Sequence, residues 1–242
     1  MGNLTFNPVL CVVICCLGLS WVGAGAQAQA QSQEKNRDWA NFKRYAKANK
    51  ELPAPGKKEK RVVFMGNSIT EGWARLCPEF FEENHYVGRG IGGQTSYQFV
   101  LRFREDVINL QPRLVVINAG TNDAAENTGP FNADITMGNI VSMVELAKAN
   151  KIKVILTSVL PASGFGWNKE ITDAADRIAL LNQMIEAYAK ANKIPYVDYY
   201  KEMVSGPERS LNPAYTKDGV HPTKEGYAVM EALIKPAIKK AL

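Results

Sequence analysis

Three polar residues in this 242-residue chain have the side-chain types needed to break an ester or amide bond. Ser68 follows the apolar run 62–65, and Asp218 and His221 occur in the short sequence DGVHP near the carboxyl end. A serine hydroxyl becomes a good nucleophile when a nearby base takes its proton, and a carboxylate that binds this base fixes its orientation. The only other histidine, His85, falls in a plain predicted loop. We therefore interpret Ser68, His221 and Asp218 as candidate nucleophile, base and orienting acid.

Each of these residues also has an ordinary structural interpretation. A serine directly after a strand is usually the N-cap of a helix, and Asp218 followed by His221 could form a simple turn. The catalytic interpretation is favoured because all of them occur at predicted ends of elements of one sheet, where loops after parallel strands converge. A non-catalytic carbohydrate-binding relic of the same fold stays open, since a fold does not guarantee a reaction.

Alternating strands and helices are expected to position these residues. Short runs rich in β-branched residues begin at Arg61, Leu114, Lys153 and Pro195, and a weaker run surrounds Tyr86. Helical spacing of apolar residues is predicted over 36–52, 96–109, 132–150, 172–192 and 223–241. This alternation predicts right-handed βαβ crossovers, and hence an α/β fold: a three-layer α/β/α sandwich around a central parallel five-stranded sheet. The break at 66–68 is expected to separate the first strand from any helix.

The first thirty residues differ in composition from the rest. Residues 8–22 are almost wholly apolar and precede the run GAGAQAQAQSQ, which is typical of a secretory signal with cleavage near 24–30. We expect 1–30 to be removed, 31–60 to form a helix and linker, 61–242 to form the hydrolase domain, and the protein to be exported to the periplasm or beyond the cell. A membrane anchor is the alternative, but the apolar run is shorter than the ~20 residues that span a bilayer. No stable membrane insertion is expected after signal removal.

Charge and cysteine usage argue against several other classes of protein. The net charge of +5 is modest and no basic block is interleaved with aromatic residues, so no nucleic-acid partner is expected. Cys11, Cys15 and Cys16 lie in the apolar segment, which leaves a processed chain with Cys77 alone and no internal disulfide. No His/Cys cluster has ligand spacing, so we expect neither a metal nor a cofactor. Oligomeric state is not indicated.

A dinucleotide site is a competing interpretation of one glycine-rich segment. Gly88, Gly90 and Gly93 fit the pattern Gly-x-Gly-x-x-Gly. That pattern requires an acidic residue at the end of the next strand, where this chain has Asn118 and Ala119, and it normally follows the first strand of the sheet. We therefore disfavour this interpretation.

Four short blocks resemble the signatures of the SGNH (GDSL-type) hydrolase family. They are GNSIT at 66–70, GIGG at 90–93, GTND at 120–123 and DGVHP at 218–222, and they occur in the family's order. The Gly-x-Ser-x-Gly elbow of α/β-hydrolases fits less well, because Thr70 replaces its second glycine. Judged by GNSIT and GIGGQTS, the most similar branch contains the platelet-activating-factor acetylhydrolase catalytic subunits and exported bacterial carbohydrate esterases.

The resemblance implies a flavodoxin-like SGNH fold and a role for each site residue. Ser68 is implied to be the nucleophile, His221 the general base and later acid, and Asp218 its orienting partner. The implied oxyanion hole comprises the backbone N–H groups of Ser68 and Gly93 and the side-chain amide of Asn122. Such donors stabilise the negative charge that develops on the carbonyl oxygen during acyl transfer.

Aromatic residues that follow the first and fourth predicted strands are expected to contact the substrate. Trp73 follows the nucleophile, and Phe165 and Trp167 lie in the loop PASGFGW. They could wall a small acyl pocket or stack on a sugar ring. We therefore expect a serine esterase for short-chain acyl esters, most naturally acetyl esters of carbohydrate, acting through an acyl-serine intermediate on a small-molecule or glycan ester. A lysophospholipase or thioesterase of the same family is the main alternative.

Overall fold

The computed structural model describes residues 38–242 of the chain. The predicted signal lies outside this range. The helix expected over 36–52 is α1, Lys43–Glu51, and it begins later than expected because residues 38–42 form turns. Residues Ala40–Leu242 form one compact unit, so α1 belongs to the same body as the predicted hydrolase domain.

Five parallel strands form the central sheet, which confirms the predicted fold class. They are β1 (Val62–Gly66), β2 (Tyr86–Gly90), β3 (Leu114–Ile117), β4 (Lys153–Thr157) and β5 (Tyr196–Val197), and they lie in the order β2-β1-β3-β4-β5. Gly66 at the end of β1 lies opposite Gly90 at the end of β2, and Met65 lies opposite Ile117 of β3. In flavodoxin-like sheets of this order, ligands bind beyond the carboxyl ends of the strands, where the strand order reverses.

Helices cover both faces of the sheet. They are α2 (Ser68–Leu76), α3 (Pro78–Glu82), α4 (Ser96–Asp106), α5 (Thr121–Ala124), α6 (Ala133–Ala149), α7 (Ala174–Ala191), α8 (Tyr199–Met203) and α9 (Lys224–Ala241). A small hairpin of β6 (Val204–Ser205) and β7 (Ser210–Leu211) precedes the last helix. Successive strand residues point to opposite faces, so Val63 and Met65 pack with α4, α6 and α7, whereas Val62 and Phe64 pack with α2, α3 and α9.

The layer that contains α2 has an aromatic core. Trp73 stacks between Phe80 and Tyr227, with ring centroids at 4.9 Å and 5.6 Å, and its edge meets Phe64 and Phe81. Only 2% of Trp73 is exposed. This residue is therefore part of the hydrophobic core and not the substrate contact that we expected, because its whole ring is already covered by other rings.

Candidate active site

Ser68 is the first residue of α2, directly after β1. We expected the break at 66–68 to lie outside any helix, but Asn67 begins the helix as its N-cap. The side-chain oxygen of Asn67 accepts the N–H of Ile69 at 3.0 Å, and its backbone carbonyl accepts the N–H of Glu71 at 3.0 Å. Because Asn67 supplies the cap, the hydroxyl of Ser68 is free for another partner. The positive end of the helix dipole lies at this serine.

That partner is His221, which is 153 residues away in sequence. The Ser68 Oγ lies 2.8 Å from His221 Nε2, and His221 Nδ1 lies 2.7 Å from Asp218 Oδ2. A carboxylate that binds Nδ1 favours the tautomer with the proton on Nδ1, which leaves Nε2 as an acceptor for the serine proton. The structure therefore brings together the three side chains that the sequence singled out.

The turn 216–221 holds the acid and the base in a fixed relation. Asp218 Oδ1 accepts the backbone N–H groups of Val220 at 3.0 Å and His221 at 2.8 Å. Thr216 Oγ1 donates to the carbonyl of His221 at 2.8 Å and accepts the N–H of Gly219 at 3.1 Å. Burial favours the neutral form of Asp218, but the hydrogen bonds from His221 and Val220 outweigh it and lower the pKa of Asp218 to about 2. The carboxylate is therefore ionised throughout the neutral range.

The expected oxyanion donors lie in the loop after β2 and in the short helix α5 that follows β3. Asn122 Nδ2 donates to the carbonyl of Gln94 at 2.8 Å, which uses one of its two N–H groups and joins α5 to the loop. Gly93 has a φ of +75°, which favours glycine, and Gly92 is so close to Ser68 that a Cβ added to it would lie 3.7 Å from the Ser68 Cβ. Among residues 38–242, the backbone N–H groups of Ser68 and Gly93 donate to no backbone carbonyl. These groups are available to a developing oxyanion.

Asp123, the neighbour of Asn122, fixes its loop to helix α4. Its carboxylate accepts both the backbone N–H and the hydroxyl of Ser96. Burial raises the pKa of Asp123, and the hydrogen bonds from Ser96 act in the opposite direction. Asp123 therefore has a supporting position behind the site.

An open cleft of about 830 Å³ borders Ser68 and His221. Helix α1 contributes Arg44 and Tyr45 to its wall, and helix α2 contributes Glu71 and Arg75 among others. No sequence pattern pointed to Arg44 or Tyr45, because they precede the predicted hydrolase domain and carry no spacing that relates them to the four blocks.

Of the predicted aromatic contacts, Trp167 alone lies at the surface beside the triad. It is 48% exposed, its ring centroid lies 6.2 Å from that of His221, and its Nε1 donates to Asn127 Oδ1 at 2.9 Å. Asn127 Nδ2 donates in turn to the carbonyl of Gly93 at 3.1 Å. Phe165 is 3% exposed and belongs to the core, so it supports Trp167 from behind and does not face the substrate as we expected.

The described part of the chain holds neither a membrane-spanning helix nor a cluster of metal-binding side chains. Between residues 38 and 242, no helix combines the length and apolar character needed to cross a membrane. The same residues contain no group of three or more His, Cys, Asp or Glu side chains that could hold a metal ion. Cys77 is a free, buried thiol.

Comparison with known proteins agrees with this geometry. A solved GDSL-like lipase from Bacteroides thetaiotaomicron is 71% identical with a TM-score of 0.84, over 85% of this chain and 100% of that one. Esterase TesA of Pseudomonas aeruginosa is 24% identical over 74% of this chain and 83% of its own length. An acetylxylan esterase of Xylanibacter ruminicola is 24% identical over 78% of this chain, but the match spans only 45% of that longer relative. Residues 64–229, more than half of the chain, match the GDSL-like lipase/acylhydrolase family, and the protein therefore belongs to this family of SGNH-type ester hydrolases.

Proposed function

We propose that the protein is a serine esterase that removes short acyl groups, in particular acetyl groups, from carbohydrate. The observation that carries this proposal is the continuous hydrogen-bonded series from Ser68 through His221 to Asp218 at the edge of an open cleft. Membership of an acylhydrolase family supplies the reaction class. The identity of the acyl group and of the alcohol is our inference.

In the proposed first step, Ser68 Oγ attacks the ester carbonyl while His221 Nε2 takes its proton. Ionised Asp218 holds Nδ1 and stabilises the imidazolium that forms. The carbonyl oxygen becomes negative and is bound by the N–H groups of Ser68 and Gly93 and by the Asn122 amide. His221 then protonates the departing alcohol oxygen, which leaves an acyl group on Ser68.

In the second step, water replaces the alcohol. His221 takes a proton from this water, the resulting hydroxide attacks the acyl-serine carbonyl, and the same donors bind the second oxyanion. Collapse of this intermediate returns the proton to Ser68 Oγ and releases the carboxylic acid. The enzyme ends in its starting protonation state, so no cofactor is consumed.

The shape and chemistry of the cleft support a carbohydrate substrate. The exposed ring of Trp167 beside His221 offers a face on which a sugar ring can stack. Charged side chains of Arg44, Glu71 and Arg75 line the cleft, and such groups favour a hydrated, hydroxyl-rich ligand over a long acyl chain. An acetylxylan esterase among the relatives is consistent with this choice.

Export is part of the same proposal, since a polymeric glycan is met outside the cytoplasm. The segment 1–30 that we interpret as a signal lies outside the described residues. The intact mass of the protein recovered from a periplasmic or culture fraction tests this directly. A mature chain that begins near 24–30 supports export, whereas an uncleaved chain confined to the cytoplasm contradicts it.

Replacement of Ser68 by Ala tests the chemistry. We expect Ser68→Ala to lose hydrolysis of p-nitrophenyl acetate to background with an unchanged circular dichroism spectrum, because Ser68 is the hydroxyl that bonds to the His221 imidazole within residues 38–242. Ser142→Ala is the matched control, since the Ser142 hydroxyl on α6 only donates to the Gly138 carbonyl. Normal turnover by Ser68→Ala would overturn the proposal.

A substrate panel tests the specificity. The kcat/KM values for p-nitrophenyl acetate, butyrate and octanoate, acetylated xylo-oligosaccharides and an acyl thioester should be compared. We expect acetyl esters to be preferred and the acetylated oligosaccharide to have the lowest KM. Activity that rises with acyl chain length would favour the lysophospholipase or thioesterase alternative and contradict the carbohydrate assignment.

A further inference from the structure

The loop that carries Gly93 is held by a side chain that none of the assigned roles includes. Residues 90–94, called here the oxyanion loop, begin at Gly90, the last residue of β2. The N–H of Gly92 donates to Glu71 Oε2 at 2.8 Å, and Glu71 Oε1 accepts a hydrogen bond from Arg44 at 2.8 Å. Arg44 belongs to α1 and precedes the family match, which begins at residue 64.

Two further contacts join the same N-terminal segment to the oxyanion loop. The Tyr45 hydroxyl donates to the carbonyl of Gly90 at 2.5 Å, and Gln94 Nε2 donates to the carbonyl of Ala40 at 2.8 Å. The Gln94 side chain also accepts from Arg102, a fully buried residue of α4, at 2.6 Å. The ends of the loop are therefore fixed at Gly90 and Gln94. Between them, Asn127 Nδ2 holds the Gly93 carbonyl at 3.1 Å and Glu71 holds the Gly92 N–H.

The middle of the loop needs such a fixed point because of its composition. Gly92 and Gly93 are both exposed, and adjacent glycines have the widest backbone freedom of any pair. The Gly93 N–H is part of the peptide bond between Gly92 and Gly93. A hydrogen bond that holds the N–H of Gly92 therefore restricts the direction in which the N–H of Gly93 can point. Glu71 lies three residues after Ser68, which places both side chains on the same face of α2. One helix thus carries both the nucleophile and the anchor.

We infer that Glu71 is a positioning residue for the oxyanion hole, and that Arg44 of α1 holds the Glu71 carboxylate in the orientation that binds Gly92. This inference rests on the proposed function, because it assigns Gly93 an oxyanion role. It makes the segment before the family region a working part of the active site. The side chain of Glu71 also lines the cleft, but its effect on the reaction comes through the Gly92 peptide.

Stability is not the main contribution of the ion pair. The side chains of Arg44 and Glu71 are 46% and 33% exposed, and ion pairs at such exposed positions contribute little to folding. Variants of either residue should therefore fold, and their effect should appear in kcat. The pair Arg209–Asp176 offers a matched control, since Arg209 is 41% exposed and is not among the residues lining the cleft.

The test compares Glu71→Ala, Glu71→Gln, Arg44→Met and Arg209→Met with the unaltered protein on p-nitrophenyl acetate. Glu71→Ala removes the acceptor for Gly92, and we expect kcat to fall roughly 100-fold with KM changed less than about threefold, as when one oxyanion donor is misplaced. Glu71→Gln keeps an acceptor and should recover kcat to within about 10-fold of the unaltered protein, with Arg44→Met similar. Arg209→Met should match the unaltered protein.

The double variant Arg44→Met/Glu71→Gln tests whether the two residues act in series. We expect it to be no worse than Glu71→Gln alone, because Arg44 acts only through Glu71. Losses that multiply would overturn the role assigned to Arg44. An unchanged kcat in folded Glu71→Ala, or an effect on KM alone, would overturn the positioning role of Glu71. If Glu71→Ala does not fold, Glu71→Met, which also removes the acceptor for Gly92 but keeps more of the side-chain volume, is judged by the same criteria. Failure of the proposed function would be seen in a different experiment, because Ser68→Ala would then be fully active.

Discussion

Replacing Asp218 by Asn should stop most turnover while leaving the fold intact, because the structure fixes which way the new amide must face. Asp218 Oδ1 accepts two backbone N–H groups, from Val220 and His221, and Oδ2 faces His221 Nδ1. In Asp218→Asn the amide oxygen must occupy the Oδ1 position to keep these bonds. The NH2 group then donates to Nδ1, the ring proton moves to Nε2, and His221 can no longer accept the proton of Ser68.

The size of the effect follows from the same contacts. Turning the amide around would restore the productive tautomer but would lose both backbone hydrogen bonds, together about 2 kcal/mol, so only a few per cent of molecules would be productive. A neutral amide also removes the charge that stabilises the imidazolium, which is worth about 1.5–3 kcal/mol for a charged hydrogen bond. Together these terms predict a loss of about 10³-fold in kcat, near the roughly 10⁴-fold known for the same change in serine proteases.

The assay is p-nitrophenyl acetate hydrolysis at neutral pH, with circular dichroism to confirm folding. Asp198→Asn is the matched control, because Asp198 also accepts a backbone N–H, that of Lys201 at 3.1 Å, but it caps α8 and is absent from the cleft lining. It should retain full activity. A kcat for Asp218→Asn within about 10-fold of the unaltered protein would refute the tautomer reasoning.

Three further perturbations test the fold and the site. In Gly90→Ala the new Cβ would lie 2.2 Å from the backbone nitrogen of Glu71, so we expect the melting temperature to fall by about 5 °C. Gly138 lies in a helix with open space around it, so Gly138→Ala should raise the melting temperature by about 2 °C. Equal melting temperatures for the two variants would contradict this. Trp167→Ala should raise KM for acetylated xylo-oligosaccharides about 5- to 10-fold and change KM for p-nitrophenyl acetate less than about twofold, and equal effects on both would argue against stacking. The pKa of Asp218 falls from 3.8 to about 2 on folding, so its ionisation stabilises the folded protein above pH 3.8, by about 1 kcal/mol after allowing for its exposure. This stabilisation should disappear as the pH falls through 2. The melting temperatures of the unaltered protein and Asp218→Asn should therefore converge between pH 5 and pH 2.

The strands and the longer helices were predictable because their signals are local. The β-branched runs that became β1, β3 and β4 are buried on both faces of a parallel sheet, which is the environment that produces unbroken apolar runs. Helix α2 was missed. Gly66, Thr70 and Gly72 lower helix propensity around it, and its start depends on the Asn67 cap, which looks like one more turn residue.

The site residues also differ in whether a local signal in the sequence identifies them. Ser68, Asp218 and His221 carry recognisable chemistry, so their types alone drew attention. The aromatic residues did not, because Trp73 and Trp167 both follow predicted strands, and only tertiary packing decides that the first is 2% and the second 48% exposed. Arg44 had no sequence signal at all, since its partner Glu71 is 27 residues away and no periodicity links them.

The long sequence separation within the catalytic pair has a consequence for biosynthesis. Ser68 and His221 are 153 residues apart, so at 5–20 residues per second the ribosome adds the base roughly 8 to 30 s after the nucleophile. Throughout that interval the serine is an ordinary alcohol, because Asp218 and Thr216, which orient the imidazole, also come late. With the proposed roles, the nascent polypeptide cannot cleave esters before His221 is added, and the onset of hydrolysis would report that the turn 216–221 has reached Ser68.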